Sequence, residues 1–249
     1  MMRVEEMRGN EAPVRDLLVR RLGQGGRLKE ADRMALAGLP LRMETVPAHR
    51  YLVHAGDRTA ACCLLVTGCI SRHRTEAGGG RQILAFHLAG DLLNLEHFLL
   101  RRADDNLQAL TTVTVAWIAT EPLRDLVRAR PAIASALWRC TLVDASIFCE
   151  WVLNVGRRDA RARIAHLLCE FAARSAQAGL SGPDSMDLPM TQEDLADATG
   201  LTSVHVNRML QALTRDGILQ RAGRKLQIID AQRLHRIAGF NPDYLHLAA

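Results

Sequence analysis

Residues 189–229 read PMTQEDLADATGLTSVHVNRMLQALTRDGILQRAGRKLQII, and this stretch decides how the rest of the chain is read. Thr191 is placed to cap a helix. Its hydroxyl can accept from an orphan amide of the first turn, and Asp194, three residues on, stands where a capping box carries its acid. Leu195 and Ala198 give that helix a buried side. Gly200 ends it, where a residue free to take positive φ is needed. Leu201 follows as an apolar plug, and Thr202 caps a second helix. Val206, Met209, Leu210 and Leu213 recur at helical spacing as the inner face of that helix, and Gly217 closes it. Ile218-Leu219-Gln220 and Leu226-Gln227-Ile228 then alternate around Arg221–Lys225, which reads as a hairpin with a basic, glycine-bearing tip.

Two helices joined through a glycine turn and followed by a hairpin make a winged helix-turn-helix. On the second helix Ser203, Val204, Asn207 and Arg208 share the face opposite the apolar one. An arginine pairs bidentately with guanine in the major groove and an asparagine with adenine, so these four are the candidate base readers. The plainer alternative is a helical hairpin with a solvated polar face. Caps, turn, plug and wing all agree on the reader.

The chain has 249 residues, 48% of them hydrophobic, which suffices for one large or two modest domains. No apolar run reaches membrane-spanning length, and Met1–Asn10 is charged with no apolar signal-peptide centre; a soluble, cytoplasmic protein is expected. The formal net charge of +5 suits an anionic partner. Aromatic residues make up only 4%, which argues against a reader that stacks single-stranded bases. The cysteines are Cys62, Cys63, Cys69, Cys140, Cys149 and Cys169, with no Cys-x-x-Cys. Cys62 and Cys63 sit side by side on an expected strand and point to opposite faces, so they read as small buried hydrophobes. No metal set is assigned. No nucleophile–base pair and no His-Glu-x-x-His occurs, and Gly78-Gly79-Gly80 lacks the Lys-Ser/Thr of a phosphate loop; no catalytic residue is assigned and no enzyme expected.

Along the chain, residues 1–12 read as a charged tail, followed by short helices at Val14–Leu22 and Lys29–Ala37. Between Arg42 and Ala119 short apolar runs alternate with turns: Arg50–His54, Cys63–Val66, Cys69–Arg74, Gln82–His87 and Leu110–Ile118. Strands at this spacing predict an antiparallel roll, interrupted by a helix at Leu92–Leu100 and a charged loop at Arg101–Asn106. Glu121–Arg128 is a further helix. Pro131 opens a long one, to about Val155, along which Ile133, Leu137, Cys140, Asp144, Ile147, Trp151 and Asn154 repeat near coiled-coil spacing. Of these, Ile133, Leu137, Cys140, Ile147 and Trp151 are the expected contacts with a second copy; packing on the roll alone is the alternative. Asn154-Val155-Gly156 is expected to break the helix, with Asn154 and Gly156 as a hinge. Asp159 caps a helix over Ala160–Ser175, Ala178–Leu188 reads as a linker, and Ala231–Ala238 as a last helix before a segment, Phe240–Leu247, folded back on the domain. The expected fold is α+β: a roll with flanking helices over 1–130, a long dimerisation helix over 131–155, and a winged helix-turn-helix domain over 156–249.

In this order, roll, long helix, hinge and winged helix-turn-helix resemble the CRP/FNR family of bacterial transcription regulators. Arg158-Asp159-Ala160 with Arg163-Ile164-Ala165 looks like the start of that family's DNA-binding domain, and Phe240-Asn241-Pro242-Asp243-Tyr244-Leu245-His246-Leu247 resembles the ending of an alphaproteobacterial-type branch. The resemblance implies a homodimer on a palindromic operator, its recognition helices one DNA turn apart, and a contact with RNA polymerase. The family's recognition helix commonly reads Ser/Thr-x-Glu-Thr-x-x-Arg; here Arg208 keeps the arginine and Val204 replaces the glutamate. Valine cannot accept from cytosine but can touch a thymine methyl, so the operator should differ at that base. Thr191, Thr202, His205, Arg224 and Lys225 stand where phosphate contacts are expected.

The resemblance also implies a cyclic-nucleotide-binding-like roll, whose cassette is a Gly-Glu opening a short helix and then Arg-Ser/Thr-Ala. Gly90, Asp91 and Leu92 occupy the opening, the candidate effector pocket. Where the basic part should fall the chain reads Asp104-Asp105-Asn106, with Arg101 and Arg102 out of place, and carboxylates there repel a phosphate. The family's iron–sulfur branch needs an N-terminal cysteine cluster, whereas the first cysteine here is Cys62. Haem stays open, with His49, His54, His73, His87 and His97 in or near the roll and none assigned as a ligand. The effector is therefore left unassigned. The alternative function is a ligand-binding module whose winged helix mediates protein contacts.

Overall fold

The structure, a computed structural model, describes residues 11–25, 28–100, 102–182, 185–223 and 225–247. The tail expected at the N-terminus, as far as residue 10, lies outside the described residues, as do Arg101 and Arg224. The chain falls into two compact units: one holds Phe86–Ala145 and the chain before His73, the other His73–Ala85 and Ser146–Leu247.

The first unit opens with helices α1 (Ala12–Gly23) and α2 (Glu30–Ala37). The roll strands are β1 (Leu41–Val46), β2 (Tyr51–Val53), β3 (Ala61–Thr67), β4 (Ile70–Thr75), β5 (Arg81–His87), β6 (Leu92–Leu93), β7 (Asn106–Ala109) and β8 (Val113–Ala119). They form two four-stranded sheets, ordered β1-β8-β3-β6 and β2-β7-β4-β5. In β3 successive side chains enter different cores: Cys62, Leu64 and Val66 join Leu18, Leu36 and Ile118, whereas Cys63 and Leu65 join Ile70, Leu107 and Val115. A strand buried on both faces reads as one apolar run, because neither side needs polar residues. The adjacent cysteines thus part to opposite faces, as strand geometry requires.

Three elements differ from the sequence reading. β1 pairs antiparallel with β8 from Leu41↔Ile118 to Val46↔Val113, although its mixed residues gave no clear alternation. Leu92–Leu100 is not one helix: Leu92 and Leu93 pair with Leu64 and Cys63, and only Leu95–Phe98 coils, as a 3₁₀ turn. Asn94 separates them at φ 50°, where its amide accepts from the Cys63 N–H and donates to the Ala61 carbonyl at 3.0 Å each. The charged loop after it ends in a strand, β7, that pairs with β2.

α3 (Thr120–Ala129) leads to α4 (Pro131–Arg157), which has proline at its first position, where the missing N–H costs nothing. The break expected at Asn154-Val155-Gly156 does not occur; α4 runs through to Arg157. One glycine costs a helix about 1 kcal/mol, which flanking turns and the packing of Trp151 outweigh. The chain turns instead at Asp159, whose carboxylate accepts from the Ala162 N–H at 2.9 Å and starts α5 (Ala160–Gln177). α4 is also long and apolar enough, by length and composition, to cross a membrane, contrary to the sequence reading.

In the second unit α5 is the buried spine, with Ile164, Leu167, Leu168 and Phe171 inward as expected. α6 (Gln192–Thr199), α7 (Ser203–Arg215), β10 (Leu219–Ala222), β11 (Lys225–Ile228) and α8 (Ala231–Ala238) complete it. The expected linker contributes a strand, β9 (Ser185–Asp187), which pairs with β11 and makes the wing three-stranded. The C-terminal segment does fold back. The Tyr244 ring stacks on His166, and its hydroxyl donates to Glu170 at 2.8 Å. Trp151 donates its indole N–H to the same carboxylate at 2.9 Å.

Candidate nucleic-acid interface

The capping box forms around Thr191. Its hydroxyl accepts from the Asp194 N–H at 3.1 Å, and Asp194 accepts from the Thr191 N–H at 2.9 Å. Gly200 sits at φ +64°, and a Cβ there would come 3.3 Å from a Val155 methyl, so this turn requires glycine twice over. Thr202 then caps α7 by accepting from the His205 N–H at 3.3 Å. With Val206, Leu210 and Leu213 buried beneath, the first turn of α7 points outward: Thr202, Ser203, Val204 and His205 are all exposed.

Val204 is 60% exposed, an apolar side chain held out at the tip of this helix. Arg208 lies one turn further on the same side, exposed, and makes no ion pair or hydrogen bond among the described residues. Its five donors are therefore available to a base edge. Asn207 is half-buried, and its side-chain oxygen accepts from Gln192 on α6 at 3.2 Å. Gln192 thereby joins the patch. Fifteen residues separate the pair, so nothing in the spacing marked it. On the wing, Lys225 is exposed at the start of β11, beside Arg221 on β10; the expected contact at Arg224 lies outside the described residues.

Other contacts fix α6, against which α7 leans. Arg81, on β5, donates to Asp197 at 2.6 Å and to Asp194 at 2.8 Å, and Gln82 donates to the Asp197 carbonyl at 2.7 Å. Asp194 thus serves both the capping box and a side-chain clamp. Arg163 of α5 donates to the Thr199 carbonyl at 3.1 Å and holds the other end of α6. None of these pairings was anticipated, because they join residues far apart in sequence.

The stripe expected to meet a second copy is occupied within the chain. Ile133 and Cys140 are buried in the core with α1 and β3, Leu137 packs against that core, and Ile147 and Trp151 are buried too. Of the proposed hinge residues, Asn154 is buried and donates to the Arg163 carbonyl at 3.4 Å, while Gly156 is exposed inside α4. A different stripe is outward. Ser135, Trp138, Leu142, Ala145, Cys149, Val152 and Gly156 are exposed and step along α4 by alternating threes and fours, the spacing of a coiled-coil seam. Trp138 is 68% and Val152 73% exposed.

The roll interior holds a polar cluster. Arg72 is buried and donates to Glu96 at 2.5 Å and Asp105 at 3.3 Å, with His87 at 3.4 Å from its Nε. Burial works to raise the Glu96 carboxyl, but Arg72 overrides it and holds it below the usual range. Asp91 accepts from the Leu88 N–H at 2.9 Å and lies 3.4 Å from Arg21. Asp144 of α4 faces the same cluster, its carboxyl raised by burial and by Asp91. Gly90 is a tight turn at φ +96°, and Leu92 is core. Gly90-Asp91-Leu92 is therefore a turn into β6. His97 is buried on Thr59, 2.7 Å away, and His54 stacks on Tyr51. Burial raises the Cys62 and Cys169 thiols to about 12, so neither is a ready thiolate. Among the described residues no three His, Cys, Asp or Glu side chains gather to hold a metal.

Comparison with known proteins agrees with this geometry. Residues 43–130 match the cyclic nucleotide-binding domain family and residues 162–237 the Crp-like helix-turn-helix domain. The transcriptional activator protein FnrL of Cereibacter sphaeroides is 31% identical over 200 residues, 79% of this chain and 80% of that protein. The fumarate and nitrate reduction regulatory protein of Vibrio cholerae is 28% identical over 216 residues, 87% of this chain and 86% of that protein. Among solved structures, FixK2 from Bradyrhizobium japonicum superposes with a TM-score of 0.76 at 27% identity, over 82% of this chain and all of that one. The roll matches a nucleotide-binding family, yet its buried arginine already faces two carboxylates, with Asp91 and Asp144 beside them. This interior does not fit a cyclic phosphate, which would meet four acidic groups where it needs donors.

Proposed function

The chain belongs to the CRP/FNR family of transcription regulators, and from that premise we propose that two copies read a palindromic DNA operator with α7 in successive major grooves. It is a DNA-binding transcription regulator and not an enzyme. The observation that carries the reading is the first turn of α7. Its caps are complete, its inner face is buried, and Val204 and Arg208 project outward with no partner among the described residues. Arg208 is assigned to guanine, Val204 to a thymine methyl, and Ser203 and Asn207 to the flanking bases, Asn207 supported by Gln192. Thr191, Thr202, His205, Lys225 and Arg224 are assigned to phosphates, which set register.

The homodimer forms along the exposed seam of α4, from Ser135 to Val152, in place of the buried stripe centred on Cys140. Pairing that seam also accounts for the apolar length of α4 without a membrane. Family membership favours a cytoplasmic location and a contact with RNA polymerase. The roll works without a cyclic nucleotide, because its own carboxylates hold Arg72.

The test is selection from random double-stranded DNA by purified protein at fixed salt with no ligand added. Recovery of a palindrome with half-sites about 34 Å apart is the expected result. Only weak, sequence-blind binding, in buffer and again in cell extract, would overturn the reading.

A further inference from the structure

A groove of about 420 Å³ opens beside the exposed seam of α4. Ala132 and Ala136 of α4, one helical turn apart, line it with small side chains. Leu22 of α1 and Leu28 after it also line it, as do Leu142 and Arg139 of α4. Ser135, Trp138 and Leu142 belong both to the groove and to the seam, so the two surfaces are continuous.

Trp138 is out of keeping with the other two tryptophans. Trp117 donates to Glu44 at 2.8 Å and Trp151 to Glu170 at 2.9 Å, whereas Trp138 is 68% exposed and its indole N–H has no partner among the described residues. In a parallel two-fold pair the same seam position of each helix meets across the axis. Two indoles cannot both lie on that axis, so each must lean to a flank. The groove is on that flank, lined by alanines, leucines and an arginine whose guanidinium can lie over an aromatic face.

We propose that the Trp138 indole of each copy seats in the α1–α4 groove of the other and is the main anchor of the dimer. The idea rests on the dimeric reading and adds to it: the end of α1, and not α4 alone, takes part in choosing the partner. Tryptophans seated in well-packed, desolvated pockets are enriched among interface hot spots.

Sedimentation of the full-length protein over a dilution series tests this alongside tryptophan quenching by acrylamide. The Trp138 signal is taken as the difference between wild type and Trp138→Phe. We expect Trp138→Ala to raise the dimer dissociation constant at least tenfold with unchanged far-UV circular dichroism, since the side chain is exposed within one copy. Trp138 should be shielded from acrylamide in the dimer and accessible after dilution. Val152→Asp, on the seam but away from the groove, separates the two ideas. If Val152→Asp dissociates the dimer while Trp138→Ala leaves it intact and Trp138 stays accessible, the groove assignment fails and the dimer stands. If neither substitution weakens association, the seam itself is not the interface and both fail.

Discussion

Arg208 and Lys225 are both exposed cations in the reader, yet they should fail in different ways. Arg208→Ala should cost about 1–3 kcal/mol of operator binding and relax preference at one base, whereas Lys225→Ala should weaken all sequences alike and lower the salt slope by about 1. Titrating wild type and both variants against operator and scrambled DNA at several salt concentrations checks this. A protein-contact module would show no base-specific loss at Arg208. His166 is a different case, a buried ring facing Arg158 and Glu150 and packed on Phe240 and Tyr244. Burial, then Arg158, lowers its pKa to about 4 against the pull of Glu150. A histidine depressed on folding leaves stability untouched above its unfolded pKa near 6.5 and removes it as pH falls from there to about 4. Melting curves across that window should show the loss, and His166→Phe should flatten the acid limb. The residue types at Arg208 and Val204 were legible because helical spacing alone sets which side of α7 they share. The Gln192–Asn207 bond and the setting of His166 were not, since each depends on contacts between elements.

Among the elements, α6 and α7 have the bounds their caps announced, because Thr191, Gly200 and Thr202 each satisfy or release backbone groups locally. α4 shows where local signals mislead. Gly156 looked like a break, but intact turns on either side carry the helix through it. A Cβ added at Gly156 would meet nothing within 4 Å. Gly156→Ala should therefore stabilise the protein by about 0.5–1 kcal/mol, read as a higher Tm, with operator affinity unchanged. A fall in Tm, or a changed affinity, would restore the hinge to Gly156. β1 escaped the sequence reading because its mixed residues do not alternate, and β7 and β9 because they are brief. In all three the residues are strand-like because a neighbouring strand offers them partners: β8, β2 and β11.

For the whole molecule the informative feature is that α4 carries two apolar stripes at the same three-and-four spacing. One passes through Ile133, Cys140 and Trp151, the other through Trp138, Leu142 and Val152. Periodicity cannot rank them; burial does, by placing the first inside its own chain. The roll illustrates the same dependence. Its match to a nucleotide-binding family is a matter of fold, while the carboxylates on Arg72 decide what it can hold. Cyclic AMP or cyclic GMP at millimolar concentration should leave both Tm and operator affinity unchanged. A ligand at a hundred times its dissociation constant would add about 2.7 kcal/mol, a readily measured rise in Tm.

By itself the sequence determined the order of roll, long helix and winged helix-turn-helix, the bounds of the reading helices and the side chains they present. Those properties follow from caps, glycines and periodicity, which act over one or two helical turns. Only the tertiary structure decided which stripe of α4 is free, that α4 continues past Gly156, and that Arg72 is neutralised from within the roll. Each depends on atoms brought together from distant parts of the chain, and local spacing holds no record of them.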